Sequence, residues 1–335
     1  MMKHLACILL LQATSYKSAL SFPTCKHPSI RTFVQRTKIS LDQQIYGIVP
    51  PDSTMNKLIV GNKYALTDKL RESTSGKSKI CEALRLNAVG QPIGKPVTMK
   101  ISSNSEALER ENDNYIKLDD TEGLFVRILD FLPRAETNGQ HFQDKSALVM
   151  ESGSEDLRSF LKTHGPLDGD ELRETVRMAA RCVGAVHEKK MVWTEAKAEN
   201  FVVKNDGRTI KGIDLESAVR HRDNPIDFSA EACPPEFALA FLCGREPFVE
   251  MEYHFDVWSL GMVLYEIATG QHYFGCEDNM AVIAAQLRNT KQIDLSQQPI
   301  NNDLKDLIAW CLQIDPVERP TLEQILQHKF LERKK

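Results

Sequence analysis

A chain of 335 residues, 42% of them hydrophobic, is long enough for one large two-lobed domain or two ordinary ones. Its net charge of −4 offers no reason to expect nucleic acid or an anionic membrane as the main partner. The eight cysteines, at positions 7, 25, 81, 182, 233, 243, 276 and 311, form no Cys-x-x-Cys pair and have no histidines at zinc spacing, so they read as scattered, reduced core thiols rather than a disulfide or metal framework.

Residues 1–41 contain no Asp or Glu but carry Lys3, Lys17, Lys26, Arg31, Arg36 and Lys38. Lys3 precedes a short apolar run, Leu5 to Leu11, and Ala19-Leu20-Ser21 supplies small residues at alternate positions, so residues 1–21 read as a signal peptide. That run is too short to span a bilayer, and no stable membrane span is expected. Residues 22–41, opening on Phe22, are basic, rich in Ser and Thr and free of acid, as transit peptides are. The tandem resembles the bipartite plastid address of algae with secondary plastids, with simple secretion or an untargeted N-terminus as alternatives. Residues 42–61, with Pro50 and Pro51, read as a linker before a domain at 62–332.

Tyr64 to Leu70 reads as a first strand and Ile80 to Leu86 as a second, with a loop containing Ser73 and Gly76 between them. Gly76-Lys77-Ser78 also invites a P-loop reading, but that motif needs a glycine where Arg71 stands and a helix where the second strand runs. Pro96-Val97-Thr98-Met99-Lys100-Ile101 reads as a third strand. A helix follows, with Leu108, Tyr115 and Leu118 at helical spacing and Glu111 on the same face, Glu106 and Glu109 being the other acidic candidates. Ser146 to Met150 is a buried strand running into Glu151-Ser152-Gly153, and Asp156 begins the next helix.

The stretch from His187 to Glu216 is the richest in chemistry. Trp193-Thr194-Glu195-Ala196-Lys197 is followed by Asn200 and the apolar run Phe201-Val202-Val203. An Asp-Gly turn at 206–207 then returns the chain as a strand, Thr209 to Ile213, that ends at Asp214-Leu215-Glu216. Further on come Pro234-Pro235-Glu236, then Asp256-Val257-Trp258-Ser259-Leu260-Gly261 opening an apolar helix, then Arg319-Pro320.

In this order and spacing the motifs resemble the eukaryotic protein kinases, over roughly residues 62–332. The resemblance implies an α+β, two-lobed fold, with a small β-rich lobe at about 62–150 and a larger, mainly helical lobe at about 154–332. Trp193, Thr194 and Glu195 stand where the family has His-Arg-Asp, and Asp214-Leu215-Glu216 where it has Asp-Phe-Gly. By that resemblance ATP and Mg2+ are the cofactors and a protein is the substrate or partner. Glu195 would orient the attacking hydroxyl, Lys197 would stabilise transferred charge, and Asn200 and Asp214 would hold metal. Lys100 would neutralise phosphates with Glu111 as its partner, Gly76 would remain of the phosphate-covering loop, Met150 would be the gatekeeper, and Glu151 to Gly153 would meet adenine. Glu236 and Arg319 would form a buried ion pair, and Asp256 would brace the catalytic loop.

His221-Arg222-Asp223 spells the family tripeptide literally, but Pro225 and Phe228 stand where Lys and Asn are required, so residues 215–233 read as an activation segment and the tripeptide as a solvated loop. The departures bear on activity. Glu195 is one methylene longer than Asp, a displacement of about 1 Å that can cost about 100-fold. Thr194 removes the Arg that would grip a phosphate on Ser217 or Ser229, and Glu216 replaces a flexible glycine. Two expectations follow: a Ser/Thr protein kinase with an impaired catalytic loop, Lys197 two positions past the carboxylate resembling the Ser/Thr subgroup, or a pseudokinase acting as a nucleotide-binding or scaffold module.

Overall fold

The computed structural model describes residues 58–72, 78–134, 144–204, 207–274, 283 and 294–332, all within one compact unit, Lys57–Lys335. Gly76 and the targeting segments 1–41 lie outside the described residues.

The N-terminal lobe is an antiparallel sheet of β1 (Ile59–Val60), β2 (Tyr64–Glu72), β3 (Lys79–Leu86), β4 (Pro92–Ser102), β5 (Ile128–Leu132) and β6 (Ser146–Glu151), in the order β1-β2-β3-β4-β6-β5. Strand alternation sorts the side chains of β4. Val97, Met99 and Ile101 enter a core with Val60, Tyr64, Cys81, Leu132 and Val149, while Thr98 and Lys100 face the cleft below. The sheet begins at Ile59, inside the stretch read as a linker, because Val60 is fully buried in that core and Leu58 packs against it. The helix α1 (Ser105–Leu118) is capped by Asn104, whose side chain accepts from Ala107 N at 3.2 Å, and it buries Leu108, Glu111, Asn114, Tyr115 and Leu118.

The chain passes through β7 (Glu155–Asp156) into the helical lobe: α2 (Leu157–His164), α3 (Gly169–Glu188), α4 (Pro235–Leu242), α5 (Tyr253–Thr269), α6 (Asn302–Cys311) and α7 (Leu322–Leu326). Two small sheets lie under the cleft. β9 (Phe201–Val203) pairs with β7 and with β10 (Ile210–Gly212), and β8 (Met191–Val192) pairs with β11 (Val219–Arg220).

The centre of this lobe is α5, buried from Phe255 to Ala268 on every side, as expected of a helix that is apolar all round. Its motif residues each meet a different neighbour. Asp256 turns to the loop after β8, Trp258 lies under the Arg319 guanidinium at 5.0 Å, and Ser259 Oγ donates to Ala232 O at 2.6 Å. Gly261 is where α6 closes in, since a Cβ there would meet Leu312 at 2.7 Å and Cys311 at 2.9 Å. The Arg319–Glu236 pair is bidentate, at 2.6 and 2.7 Å, but buried from one side only: the arginine side chain is 0% exposed and the glutamate 40%. Glu236 sits in the first turn of α4, at the edge of the lobe, which leaves its carboxylate in contact with water.

Of the cysteines among the described residues, 81, 182, 233 and 311 are buried, whereas Cys243, in the turn after α4, is exposed. No helix of the described residues is long and apolar enough to cross a membrane.

Candidate active site

Glu195 is placed by a buried carboxylate in the next layer down. Asp256, 0% exposed, accepts from Trp193 N at 2.6 Å and Thr194 N at 2.8 Å and pairs with His187 Nε2 at 3.0 Å, so its burial is matched by hydrogen bonds. These bonds hold Thr194 at φ +67°, a conformation that a β-branched residue adopts only when its surroundings over-determine it. Trp193 is fully buried, its ring centroid 5.1 Å from Phe125 and 5.3 Å from Phe201, and its indole N–H donates to Asp214 O at 2.9 Å. The loop after β8 is thereby tied to the residue that ends the hairpin.

Glu195 has a partner on each oxygen. Oε2 accepts from Ser217 Oγ and Oε1 from Ser229 Oγ, both at 2.9 Å, and Lys197 Nζ donates to Ser229 Oγ at 2.7 Å. Burial pushes the Glu195 carboxyl above its usual range, opposed by the Lys197 ammonium and the two hydroxyls and reinforced by Asp214.

The second cluster forms around Lys100. Its ammonium meets Glu111 at 2.8 Å, Glu216 at 3.0 Å and Asp214 at 3.1 Å, and the side chain is only 8% exposed. Burial alone would lower the lysine, but the three carboxylates outweigh it and hold the group well above its ordinary value. Burial pushes Glu111 up to about 7 against the pull of Lys100. For Asp214, burial is overcome by Lys100, which holds the carboxyl below its usual range. Glu106 and Glu109 take no part in this cluster; Glu111 is the glutamate of α1 that is buried.

Arg110 and Asn114, about one turn apart on the same helix, bind the backbone that follows Asp214. Arg110 Nε donates to Glu216 O at 2.9 Å, and the Asn114 amide donates to Leu215 O and Ala218 O, both at 2.9 Å.

Lys100, Glu111, Met150, Glu151, Gly153, Glu195, Lys197, Asn200 and Asp214 all line one cleft of about 260 Å³ between the lobes, joined there by Glu216 and Ser217. The upper wall carries Ile80 and Thr98, the lower Val202 and Ile213. Gly153 is required at the hinge by a close approach, since a Cβ would fall 2.4 Å from Val202 Cγ2 and 3.0 Å from Val203 O. Glu151 donates its backbone N–H to Arg127 O at 3.0 Å and points its carboxylate at Lys211 and Lys204, so its N–H is already spent within the fold.

Hard oxygen donors suited to Mg2+ are present. Asp214 offers a carboxylate 33% exposed to the cleft, and Asn200 spends its amide N–H on Glu195 O at 2.9 Å, which leaves the amide oxygen as its ligand atom.

The tripeptide at 221–223 is exposed at Arg222 and Asp223 and lies away from this cleft, but it is anchored rather than loose. Arg222 N donates to Met251 O and Met251 N to Asp223 O, while the His221 ring stacks on Tyr253 at 4.1 Å.

A two-lobed fold with a cleft between a sheet and a helical lobe, a lysine–glutamate pair above and a carboxylate, lysine and asparagine below, is the arrangement of the phosphotransferases that bind ATP between such lobes. Residues 89–331 match the protein kinase domain, and the chain belongs to the protein kinase family. It is similar to the serine/threonine-protein kinase pim-2 of Danio rerio, 31% identical over 211 residues, covering 62% of this chain and 61% of that protein. It is also similar to the serine/threonine-protein kinase prk-2 of Caenorhabditis elegans (32% over 180 residues, 52% and 38%) and to the protein kinase kin1 of Schizosaccharomyces pombe (29% over 177 residues, 52% and 19%). The chain thus spans less than two thirds of the length of each of these relatives.

Proposed function

We propose that this protein transfers the terminal phosphoryl group of ATP to serine or threonine hydroxyls of proteins, with Mg2+. The observation that carries this reading is the convergence of Lys100, Lys197, Asn200, Asp214 and Glu195 on one cleft, each side chain held by at least one hydrogen bond to another residue. When bound, Mg2+ neutralises charge on the transferring phosphates.

The protein's own groups divide the remaining work. Lys100 presents an ammonium to the phosphate region, oriented by Glu111. Glu195 accepts a hydrogen bond from the attacking hydroxyl, Lys197 stabilises the charge that develops, and Asn200 and Asp214 are the metal ligands. The match to serine/threonine kinases and the Lys197–Ser229–Glu195 relay support the Ser/Thr assignment.

A pseudokinase reading is favoured by one observation, the 3.0 Å contact of Glu216 with Lys100, which puts a fixed anion where nucleotide phosphates would lie. The deciding experiment is transfer of labelled phosphate to a generic basic protein, with Mg2+, beside an Asp214→Ala control. Transfer that falls at least about 100-fold in the control supports the enzyme. Equal, background-level signal in both supports the binding module.

The bipartite N-terminal composition supports delivery to a plastid, and a fusion of residues 1–41 to a fluorescent protein tests it. Accumulation in the medium or secretory compartments would favour secretion instead.

A further inference from the structure

Glu195 is one methylene longer than the residue its relatives' motif calls for, and Thr194 beside it replaces an arginine. The structure joins these two departures through a third residue. Thr194 Oγ1 donates to Ser217 O at 3.1 Å, and Ser217 Oγ donates to Glu195 Oε2 at 2.9 Å. Ser217 is only 4% exposed, and its place is fixed from the other side as well. The Asn114 amide holds the carbonyls of Leu215 and Ala218 that bracket it, and Ala218 N closes the turn onto Leu215 O at 3.2 Å.

A glutamate has one more rotatable bond than an aspartate, so an unheld Glu195 would spread over additional staggered wells. Two hydroxyls, one on each oxygen, remove that freedom. Each carboxylate oxygen carries two lone pairs and gives one to a serine, so the hydroxyl of a protein substrate still finds an acceptor.

We propose that Ser217 is a positioning residue for Glu195, with Thr194 and Asn114 setting the backbone of Ser217. The exchanges at 194 and 195 are then matched parts of one arrangement. This inference rests on the phosphoryl-transfer reading of the same site. Shortening Glu195 to Asp withdraws the carboxylate by about 1.3 Å, roughly one carbon–carbon bond projected along the chain, which takes it out of reach of Ser217.

The test is a double-mutant cycle on the full chain with Ser217→Ala and Glu195→Asp, reading kcat, the KM for ATP and the midpoint of thermal unfolding. In the parent, Ser217→Ala is expected to lower kcat about 10-fold while the KM for ATP stays within about 2-fold. In the Glu195→Asp background the same exchange costs about 2-fold, because the contact is already gone. The melting midpoint falls by about 3 °C with Ser217→Ala in the parent and by less than about 1 °C in the Glu195→Asp background.

Equal costs in both backgrounds, a rise in kcat with Ser217→Ala, or a gain near 100-fold with Glu195→Asp alone would each overturn the inference. If the parent transfers no phosphate above the Asp214→Ala control, the enzyme reading fails. Thermal coupling in that case marks the contact as structural only, and the positioning role is overturned with it.

Discussion

Glu216 Oε2 lies 3.0 Å from Lys100 Nζ, an ammonium already paired with Glu111 and Asp214. Glu216 adds a further carboxylate beside an ammonium that already has two carboxylate partners, so a nucleotide phosphate brought to Lys100 without metal would meet repulsion where it needs attraction. Glu216→Gln keeps the shape and removes one charge. It is expected to tighten ATP binding in the presence of a chelator by about 10-fold, or about 1.4 kcal/mol. A fluorescent ATP analogue titrated into both proteins measures this. Unchanged affinity would mean that Glu216 swings clear of Lys100 when nucleotide enters.

The Arg319 guanidinium is fully buried over Trp258, and Glu236 is its carboxylate partner. Removing the glutamate leaves a buried charge with carbonyl partners alone, those of Gln313, His254 and Ile314. Glu236→Ala is therefore expected to lower the unfolding free energy by about 3 kcal/mol in urea denaturation. Glu236→Gln retains a hydrogen-bond acceptor and is expected to cost less.

What could be read from the sequence was local. The kinase resemblance singles out Lys100 on its strand and Asp214 at the end of a short hairpin after Asn200, and helical spacing with Leu108 and Tyr115 favours Glu111 over Glu106 and Glu109. These relations span a few residues and obey periods of 2 and 3.6, or a turn of known length. The partners of Glu195 and Lys100 in the activation segment were not legible in this way. Ser217 and Ser229 stood out only as phosphate acceptors, and Glu216 only as a lost glycine. Their contacts join residues 22, 34 and 116 positions apart, and no periodicity encodes which side chain a folded segment will turn inward. Arg158 is a further case, an arginine in a helix that gathers Glu199, Glu231 and Glu266 from three separate elements.

That Arg158 cluster makes stability depend on acid. Burial would raise the Glu231 carboxyl, but hydrogen bonds from His272 and Arg158 outweigh it and hold the group at about 2, against 4.5 for a free glutamate. A depressed carboxylate stabilises the fold at pH above its unfolded value and loses that contribution as pH falls towards its folded value. The window is therefore about pH 4.5 down to 2, and by about pH 3.5 roughly 1.4 kcal/mol should be gone. Urea unfolding of the parent and of Glu231→Gln at about pH 6 and about pH 3.5 isolates it, the parent losing that much more than the variant. Equal losses would show that Arg158 is satisfied by Glu199 and Glu266 alone.

Gly212 ends β10 directly beneath Phe125, whose N-terminal neighbour Leu124 accepts from Gly212 N at 2.9 Å. A Cβ at 212 would lie 2.4 Å from Phe125 Cε1 and 2.7 Å from Cδ1, closer than any real contact. The ring has no room to retreat. It is 2% exposed and packs on Trp193 at 5.1 Å, and Trp193 in turn donates to Asp214 O. Gly212→Ala is therefore expected to destabilise the domain by about 2 kcal/mol and, through that tryptophan, to disturb Asp214, the proposed metal ligand. Phe125→Leu in the same chain removes the clashing ring edge and should restore part of the loss. Chemical denaturation gives the first effect, and Mg2+-dependent ATP binding gives the second. If stability falls while metal-dependent binding is unchanged, the path from Phe125 through Trp193 to Asp214 is packing without consequence for the site.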